Sequence, residues 1–216
     1  MKRRWVVVTI TTVALIGAGI LVRNERKNRE FFKRAAEYRV RAEQGDAKAQ
    51  WALGAMYYYG KGLHKDYAEA ARWYRKSAEQ GNAKAQYSLA YMYHEGQGVP
   101  KDDSEASGWC RKAAEQGDRL AQFALAESYR TGVGMPRDDS EAVGWYRKSA
   151  EQGYPEAQYD LGYMYYYGLG VQRDRGQAYN LFQQAADHGD EDAKRAIECD
   201  RKGISIDPGA GLRGLY

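Results

Sequence analysis

The stretch AKAQYSLAYMYHEGQG (Ala83–Gly98) restates AKAQWALGAMYYYGKG (Ala47–Gly62) after a step of 36 residues. Related versions begin at Arg119 and Pro155, with no insertion or deletion between them. A constant step of this length indicates a tandem array, in which each unit is one supersecondary element whose apolar face is buried by its neighbours. We therefore expect function on a surface built by the array rather than in a single catalytic loop.

The register of the array sets the domain boundaries. Partial units at 34–46 and 191–200 resemble the end and the start of a full unit, and such atypical ends close the core of an array. These segments predict one domain over residues 34–200 and a glycine-rich, flexible tail over 201–216. The four full units are 47–82, 83–118, 119–154 and 155–190.

Capping residues and glycines divide each full unit into two predicted helices, A and B. Asp or Asn precedes helix A, or Pro occupies its first position, and Asp followed three residues later by Glu or Gln starts helix B. A glycine ends each helix, where a left-handed residue is favoured. The helix-A glycines are Gly60, Gly96, Gly132 and Gly168, and the helix-B glycines are Gly81, Gly117, Gly153 and Gly189.

Apolar residues at helical spacing give each helix one inward stripe. In helix B of the first unit the stripe contains Ala70, Trp73 and Tyr74, and Cys110 takes the place of Tyr74 in the second unit. Cys110 is interpreted as a packed substitution, and two distant cysteines do not predict a disulfide framework. The unit is therefore predicted to be an antiparallel helical hairpin.

The run A-x-A-Q-x-x-L-G-x-M-Y-x-x-G-x-G, followed by D-x-x-E-A and W-Y-R-K-S-A-E-Q-G, resembles the Sel-one-like repeat, a longer-looped relative of the tetratricopeptide repeat. The resemblance covers about residues 34–199. It implies an all-α fold, a right-handed α/α solenoid of antiparallel helix hairpins, that acts as an adaptor for other proteins. It does not specify a partner.

The amino-terminal segment predicts a membrane anchor. Residues 5–22 are 18 residues without a charge, which as a helix would extend roughly 27 Å, near the lower limit for crossing a bilayer. We expect one transmembrane helix within residues 1–22 and a charged helical linker over 23–33, with a cleaved signal peptide as the alternative. The predicted location is a bacterial inner membrane, crossed once, with the repeats outside the cytoplasm.

The net charge of +4 is unevenly distributed along the chain. Residues 2–4 contribute +3 and residues 23–41 contribute +5, which leaves −4 for residues 42–216. Because the basic residues flank the apolar segment and not the repeats, the charge indicates a membrane flank and argues against nucleic-acid binding.

No constellation of residues predicts catalysis. His64, His94 and His188 each lack a second His or Cys three or four residues away, so neither a metal site nor a cofactor is expected. The Gly-x-Gly pairs follow helices rather than strands, and they are interpreted as turns and not as phosphate-binding loops. We therefore predict that the protein is not an enzyme.

A candidate binding face follows from positions two, five, nine and twelve of helix A, which share one side of the helix. By resemblance to tetratricopeptide arrays, this face lines a concave groove. Aromatic residues there are common anchors in interfaces, although packing between repeats explains the ring at position five equally well. The predicted partner-binding residues are Trp51, Ala55, Tyr58, Tyr87, Tyr91, His94, Phe123, Glu127, Arg130, Tyr159, Tyr163 and Tyr166.

These observations favour a membrane-anchored adaptor or scaffold that binds a segment of another protein in the groove. One alternative is a cell-envelope enzyme or binder that acts on compounds derived from the cell wall. The other is a structural protein that forms a weak homo-oligomer through Ala14 and Ala18 in the apolar segment.

Overall fold

The hairpin pattern predicted from the glycines and caps is present in the computed structural model, which describes residues 29–204 and 206. Over residues 29–204 the chain forms ten helices and no strand. The first helix, α1, is described over 29–43. The others are α2 (Ala47–Tyr59), α3 (Tyr67–Glu79), α4 (Ala83–Glu95), α5 (Asp103–Glu115), α6 (Arg119–Thr131), α7 (Asp139–Glu151), α8 (Pro155–Tyr167), α9 (Arg175–Asp187) and α10 (Glu191–Arg201).

The chain divides into two compact units, Met1–Ser77 and Ala78–Tyr216. In the first unit, Ala42 of α1, Leu53 of α2 and Trp73 of α3 bury their side chains in one cluster. In the second unit, α4 packs on α5, α6 on α7 and α8 on α9, and each hairpin then contacts the next through its second helix. The predicted all-α array of hairpins is therefore confirmed within each unit, and its right-handed sense stays a prediction.

The predicted caps are observed at the ends of the helices. Asp46 Oδ1 accepts a hydrogen bond of 3.0 Å from the Ala49 amide at the start of α2, and Asp102 Oδ1 accepts bonds of the same length from the Ser104 and Glu105 amides. At α8, where Tyr154 provides no side-chain cap, Pro155 occupies the first turn. The helix-ending glycines have positive φ, as the sequence predicts.

A buried glutamine joins each helix A to the end of the preceding helix B. The side-chain amide of Gln122 donates to the Ala114 carbonyl over 3.2 Å, and the equivalent bonds are Gln50 to Ala42, Gln86 to Ala78 and Gln158 to Ala150. A buried amide needs such a partner, since leaving it unsatisfied costs about 1–3 kcal/mol. The glutamine of the A-x-A-Q motif is therefore a structural residue.

His188 extends the same network. Gln116 and Gln152, its counterparts in the second and third repeats, donate to Gln86 and Gln122, and His188 Nδ1 lies 3.2 Å from Gln158 Oε1. The imidazole thus replaces a glutamine in a bond that ties the two helices of one hairpin together.

Two segments beside the predicted boundaries pack on the repeats. The limit between the predicted helical linker and the array at 33/34 lies inside α1, and a Cβ atom at Gly62 would meet the backbone of Phe31. Residue 31 therefore packs against the first repeat. In the predicted flexible tail, Ile206 is buried with Phe182 and Ile197, and its carbonyl accepts a hydrogen bond from the Tyr167 hydroxyl.

The predicted anchor at 5–22 and the oligomer contact at Ala14 and Ala18 lie outside the described residues. Among the helices that are described, none combines the length and the apolar character that crossing a bilayer requires.

Candidate functional site

The predicted binding face differs in burial from repeat to repeat. In the first unit, Trp51, Ala55 and Tyr58 are half-buried, and the Tyr58 ring packs on the rings of Tyr59 and Tyr67, with centroids 4.9 and 5.2 Å away. These rings support one another at the end of α2. They leave part of their surface open to solvent.

The third repeat uses the same positions for packing. Phe123 packs between the rings of Tyr146 and Tyr154, with centroid distances of 5.8 and 5.1 Å. Glu127 is fully buried, and its carboxylate accepts bonds of 3.0 and 2.6 Å from Arg130. Here the structure differs from the predicted groove, because Phe123 and Glu127 are not accessible to a partner.

The predicted binding face is buried in the fourth repeat as well. Tyr159, Tyr163 and Tyr166 are buried in one cluster, which also contains Phe182 and Ile206. The cluster forms because α10 and the residue at 206 cover this end of the array. The accessible ladder of rings expected from the sequence is therefore interrupted in this repeat.

The second repeat retains an accessible face. Tyr87 and His94 are half-buried on α4, and Tyr91 between them is 38% exposed. These three side chains border a pocket of about 460 Å³, part of which is open solvent, between α4, α5 and α6. Its remaining lining residues are Ala90, Asp103, Ala106, Ser107, Cys110, Ala124, Ser128 and Val133.

Sequence reasoning did not anticipate the pocket, although two substitutions in the repeat pattern indicate it. Cys110 stands where the other full repeats have Tyr74, Tyr146 and Phe182. Ser128 stands where they have Met56, Met92 and Met164. Both are shorter than the residues they replace, and both line the same pocket between the second and third repeats. Helical spacing describes each position separately and therefore does not reveal their combination.

The Cys110 thiol in the pocket is buried and is not in the form that a cysteine nucleophile requires. The Cys110 thiol donates to the Ala121 carbonyl over 3.1 Å, and burial raises the pKa of Cys110 to about 12. A catalytic cysteine needs the opposite shift, because the thiolate is the nucleophile. His94 Nδ1 lies 2.7 Å from Asp103 Oδ1, so the imidazole is held by a carboxylate at the edge of the pocket.

Over the described part of the chain, no group of three His, Cys, Asp or Glu side chains is arranged to hold a metal ion. Cys110 is buried and Cys199 is half-buried, and neither of these two thiols forms a disulfide.

Comparisons with known proteins identify the repeat. The model described as "Sel1 repeat" matches residues 15–37, 47–82, 83–118, 119–154 and 155–190. The last four matches coincide with the four 36-residue units. The first begins inside the segment predicted as an anchor and differs from the partial unit predicted at 34–46. No curated protein matches the chain.

Two solved structures have the same fold. A protective antigen with an SLR fold from uropathogenic Escherichia coli is 37% identical, with a TM-score of 0.75, over 82% of this chain and 38% of that protein. A Sel1 repeat protein from Oxalobacter formigenes is 34% identical, with a TM-score of 0.71, over 76% of this chain and 48% of that one. This chain therefore spans less than half the length of either relative.

The matches to the Sel1 repeat cover most of the chain, and they agree with the hairpins, caps and turn glycines of the structure. Proteins of this kind generally mediate protein–protein interaction. This chain belongs to the Sel1 repeat family.

Proposed function

We propose that the protein is an adaptor that binds a segment of another protein on the helix-A face of its second repeat. The observation that carries the proposal is the exposed Tyr91 beside an open pocket, on a face that the third and fourth repeats close. A large aromatic side chain that is partly exposed beside a concave surface is a common anchor for a protein partner. The family's general role in protein–protein interaction supports the same function.

The proposed adaptor is not an enzyme and is anchored in a bacterial inner membrane through residues 5–22, with the repeats outside the cytoplasm. Burial raises the pKa of Cys110, so this thiol is not proposed as a nucleophile, because a protonated thiol reacts poorly. The uncharged segment and its basic flanks support the second part.

Site-specific photo-crosslinking in living cells tests the binding face. The full chain carries a photoreactive residue at position 91, and a matched control carries it at the exposed position 115, on helix α5. We expect one crosslinked protein that is specific to position 91, because only that position lies at the pocket. Identical adducts at both positions, or none at position 91, would contradict the proposed face.

A further inference from the structure

The chain leaves the path of the repeat after α10. Residue 206 lies one 36-residue step beyond Gly170, and it is isoleucine where the full repeats have the second glycine of the Gly-x-Gly pair. At Gly134 a Cβ atom would overlap with the Asp103 carbonyl oxygen, so that turn has no room for a larger side chain. Helix α10 has 11 residues where α8 has 13, and Gly203 turns the chain with φ of 67°. Ile206 therefore does not take the place of a repeat turn.

Its different course brings Ile206 to the face of the fourth repeat that the sequence predicts as a partner-binding surface. The Ile206 side chain is buried in one cluster with Tyr159, Tyr163 and Tyr166 of α8, which are three of the predicted binding residues. Ile204, only two residues earlier, is exposed. The burial thus belongs to one side chain of the segment and not to the segment as a whole.

The backbone of Ile206 is held as the backbone of a bound peptide would be. The Tyr167 hydroxyl donates a hydrogen bond to the Ile206 carbonyl, which lies outside any helix. The Tyr167 ring packs on the rings of Tyr163 and Tyr166, with centroids 4.7 and 5.0 Å away, and these contacts support the residue that supplies the donor. A buried place for one side chain and a hydrogen bond to the main chain are the two features by which a surface recognises a peptide segment.

We infer that the helix-A face of the fourth repeat is a second peptide-binding surface, which Ile206 occupies as an intramolecular ligand. The aromatic walls fit an aliphatic side chain, and the Tyr167 hydroxyl fits a backbone carbonyl. In the described part of the chain, one buried side chain and one hydrogen bond attach Ile206 to this face, and a partner segment with the same two features can displace it. This surface is distinct from the face proposed at Tyr91, which belongs to the second repeat.

A fluorescently labelled peptide of residues 203–211 tests the surface on the full chain. In the wild type the chain's own Ile206 competes with the peptide, whereas Ile206→Ala weakens that competitor. The peptide is therefore expected to bind Ile206→Ala about tenfold more tightly than the wild type, as measured by fluorescence polarisation. Ile206→Asp, whose charge disfavours burial, is a second opened chain with the same expected result. Equal binding to the wild type and both variants, or binding to none of them, would overturn the inference.

The peptide also carries a matched control. Ile206→Ala within the peptide removes the side chain that is buried in the fourth repeat, and it is expected to weaken binding to the opened chains about tenfold. Ile204→Ala within the peptide changes an isoleucine that is exposed in the chain, and it is expected to leave the affinity unchanged. Equal losses from the two changes would mean that the peptide does not bind as Ile206 does, which contradicts the inference.

Tyr167→Phe, made in the Ile206→Ala chain, tests the hydrogen bond to the backbone. The variant keeps the ring and removes the donor, so the peptide is expected to bind about threefold more weakly. Tyr165→Phe is the control and is expected to have no effect, because the Tyr165 hydroxyl accepts a bond of 2.8 Å from Arg147 on α7. Equal affinities in the two variants would show that the Tyr167 hydroxyl does not recognise the peptide.

Sedimentation distinguishes an intramolecular ligand from a segment exchanged between two copies of the chain. Ile206→Ala is expected to have the oligomeric state of the wild type, and a wild-type dimer that this variant dissociates would show that Ile206 binds a second copy instead. The proposed function is tested separately, because crosslinking at position 91 reports on the second repeat. Absence of that crosslink would leave the peptide result intact, and failure of the peptide to bind would leave the proposed face at Tyr91 intact.

Discussion

At the scale of single residues, Glu127 shows how one position of the repeat changes its role. The equivalent residues are Ala55, Tyr91 and Tyr163, whereas Glu127 is a buried carboxylate that accepts two hydrogen bonds from Arg130. Burial raises the pKa of Glu127, and the hydrogen bonds and charge of Arg130 partly oppose that shift. Burial thus disfavours the charged form of Glu127, and a single cation offsets only part of that cost.

This balance predicts a pH-dependent effect of Glu127→Gln. A carboxyl group with a raised pKa binds its proton more tightly in the folded state, so its contribution to stability falls as pH rises through the ordinary value of 4.5. We expect the free energy of unfolding of the wild type, minus that of Glu127→Gln, to be lower at pH 7 than at pH 4. Urea unfolding at both pH values measures the difference.

Glu127→Gln keeps the shape of the side chain, so the comparison isolates the charge of Glu127. The effects of the other carboxyl groups largely cancel in the difference between the two free energies of unfolding. A difference that increases with pH would show that the hydrogen bonds from Arg130 and Tyr146 outweigh burial.

Helical spacing predicted which residues share the helix-A face, but it could not predict how deeply they lie. Tyr91 and Tyr163 occupy the same position of the repeat, yet the first is 38% exposed and the second only 3%. The difference arises from the neighbouring elements, because Tyr163 is covered at the end of the array and packs in a cluster with Ile197 and Ile206. The 36-residue repeat of the sequence does not predict how much the neighbouring elements cover a residue.

At the scale of elements, the second glycines of the last two Gly-x-Gly pairs, Gly134 and Gly170, each join two repeats. Gly134 has φ of 73°, and a Cβ atom there would overlap with the carbonyl oxygen of Asp103 and with the Ser107 hydroxyl in the preceding hairpin. Gly170 approaches the carbonyl of Asp139 in the same way. These glycines were predicted as turn residues, and the structure adds that they allow the turn to rest on the start of the previous helix B.

This contact predicts that Gly134→Ala is more destabilising than Gly117→Ala. Both glycines have positive φ, which costs alanine about 1–2 kcal/mol, but a Cβ atom at Gly117 meets no atom within 4 Å. At Gly134 the overlap adds about 1–3 kcal/mol, because the two hairpins must separate. Denaturant unfolding of both variants measures the difference, and equal losses of stability would show that only the backbone conformation matters.

The elements themselves were predictable because their signals are local. An Asp cap, a Pro in the first turn and a glycine after the last turn each act within a few residues, so the sequence indicates the helix ends directly. The pocket is not local. It depends on Cys110 from one hairpin and Ser128 from the next, and their combined effect depends on the packing of α5 on α6.

At the scale of the whole molecule, packing within the second unit is between neighbours in sequence. The α6–α7 hairpin contacts the hairpin before it and the one after it, and α10 contacts α9 at the end. In such an array stability is approximately the sum of the repeats and their interfaces, so a local loss of packing need not spread along the chain. Ile206 is suited to test this, because it is buried at the carboxyl-terminal end.

Replacing Ile206 with alanine is expected to loosen the end of the array and leave the second repeat unchanged. Removing a buried isoleucine side chain costs about 2 kcal/mol or more, and here the loss falls on the cluster formed by α8, α9 and α10. Hydrogen exchange is therefore expected to accelerate in Pro155–Arg201 and to stay at the wild-type rate in Ala83–Glu95. Ile204→Ala, at a position that is 54% exposed, is the matched control and is expected to change neither segment. Faster exchange throughout the unit in Ile206→Ala would mean that its hairpins unfold as one cooperative body.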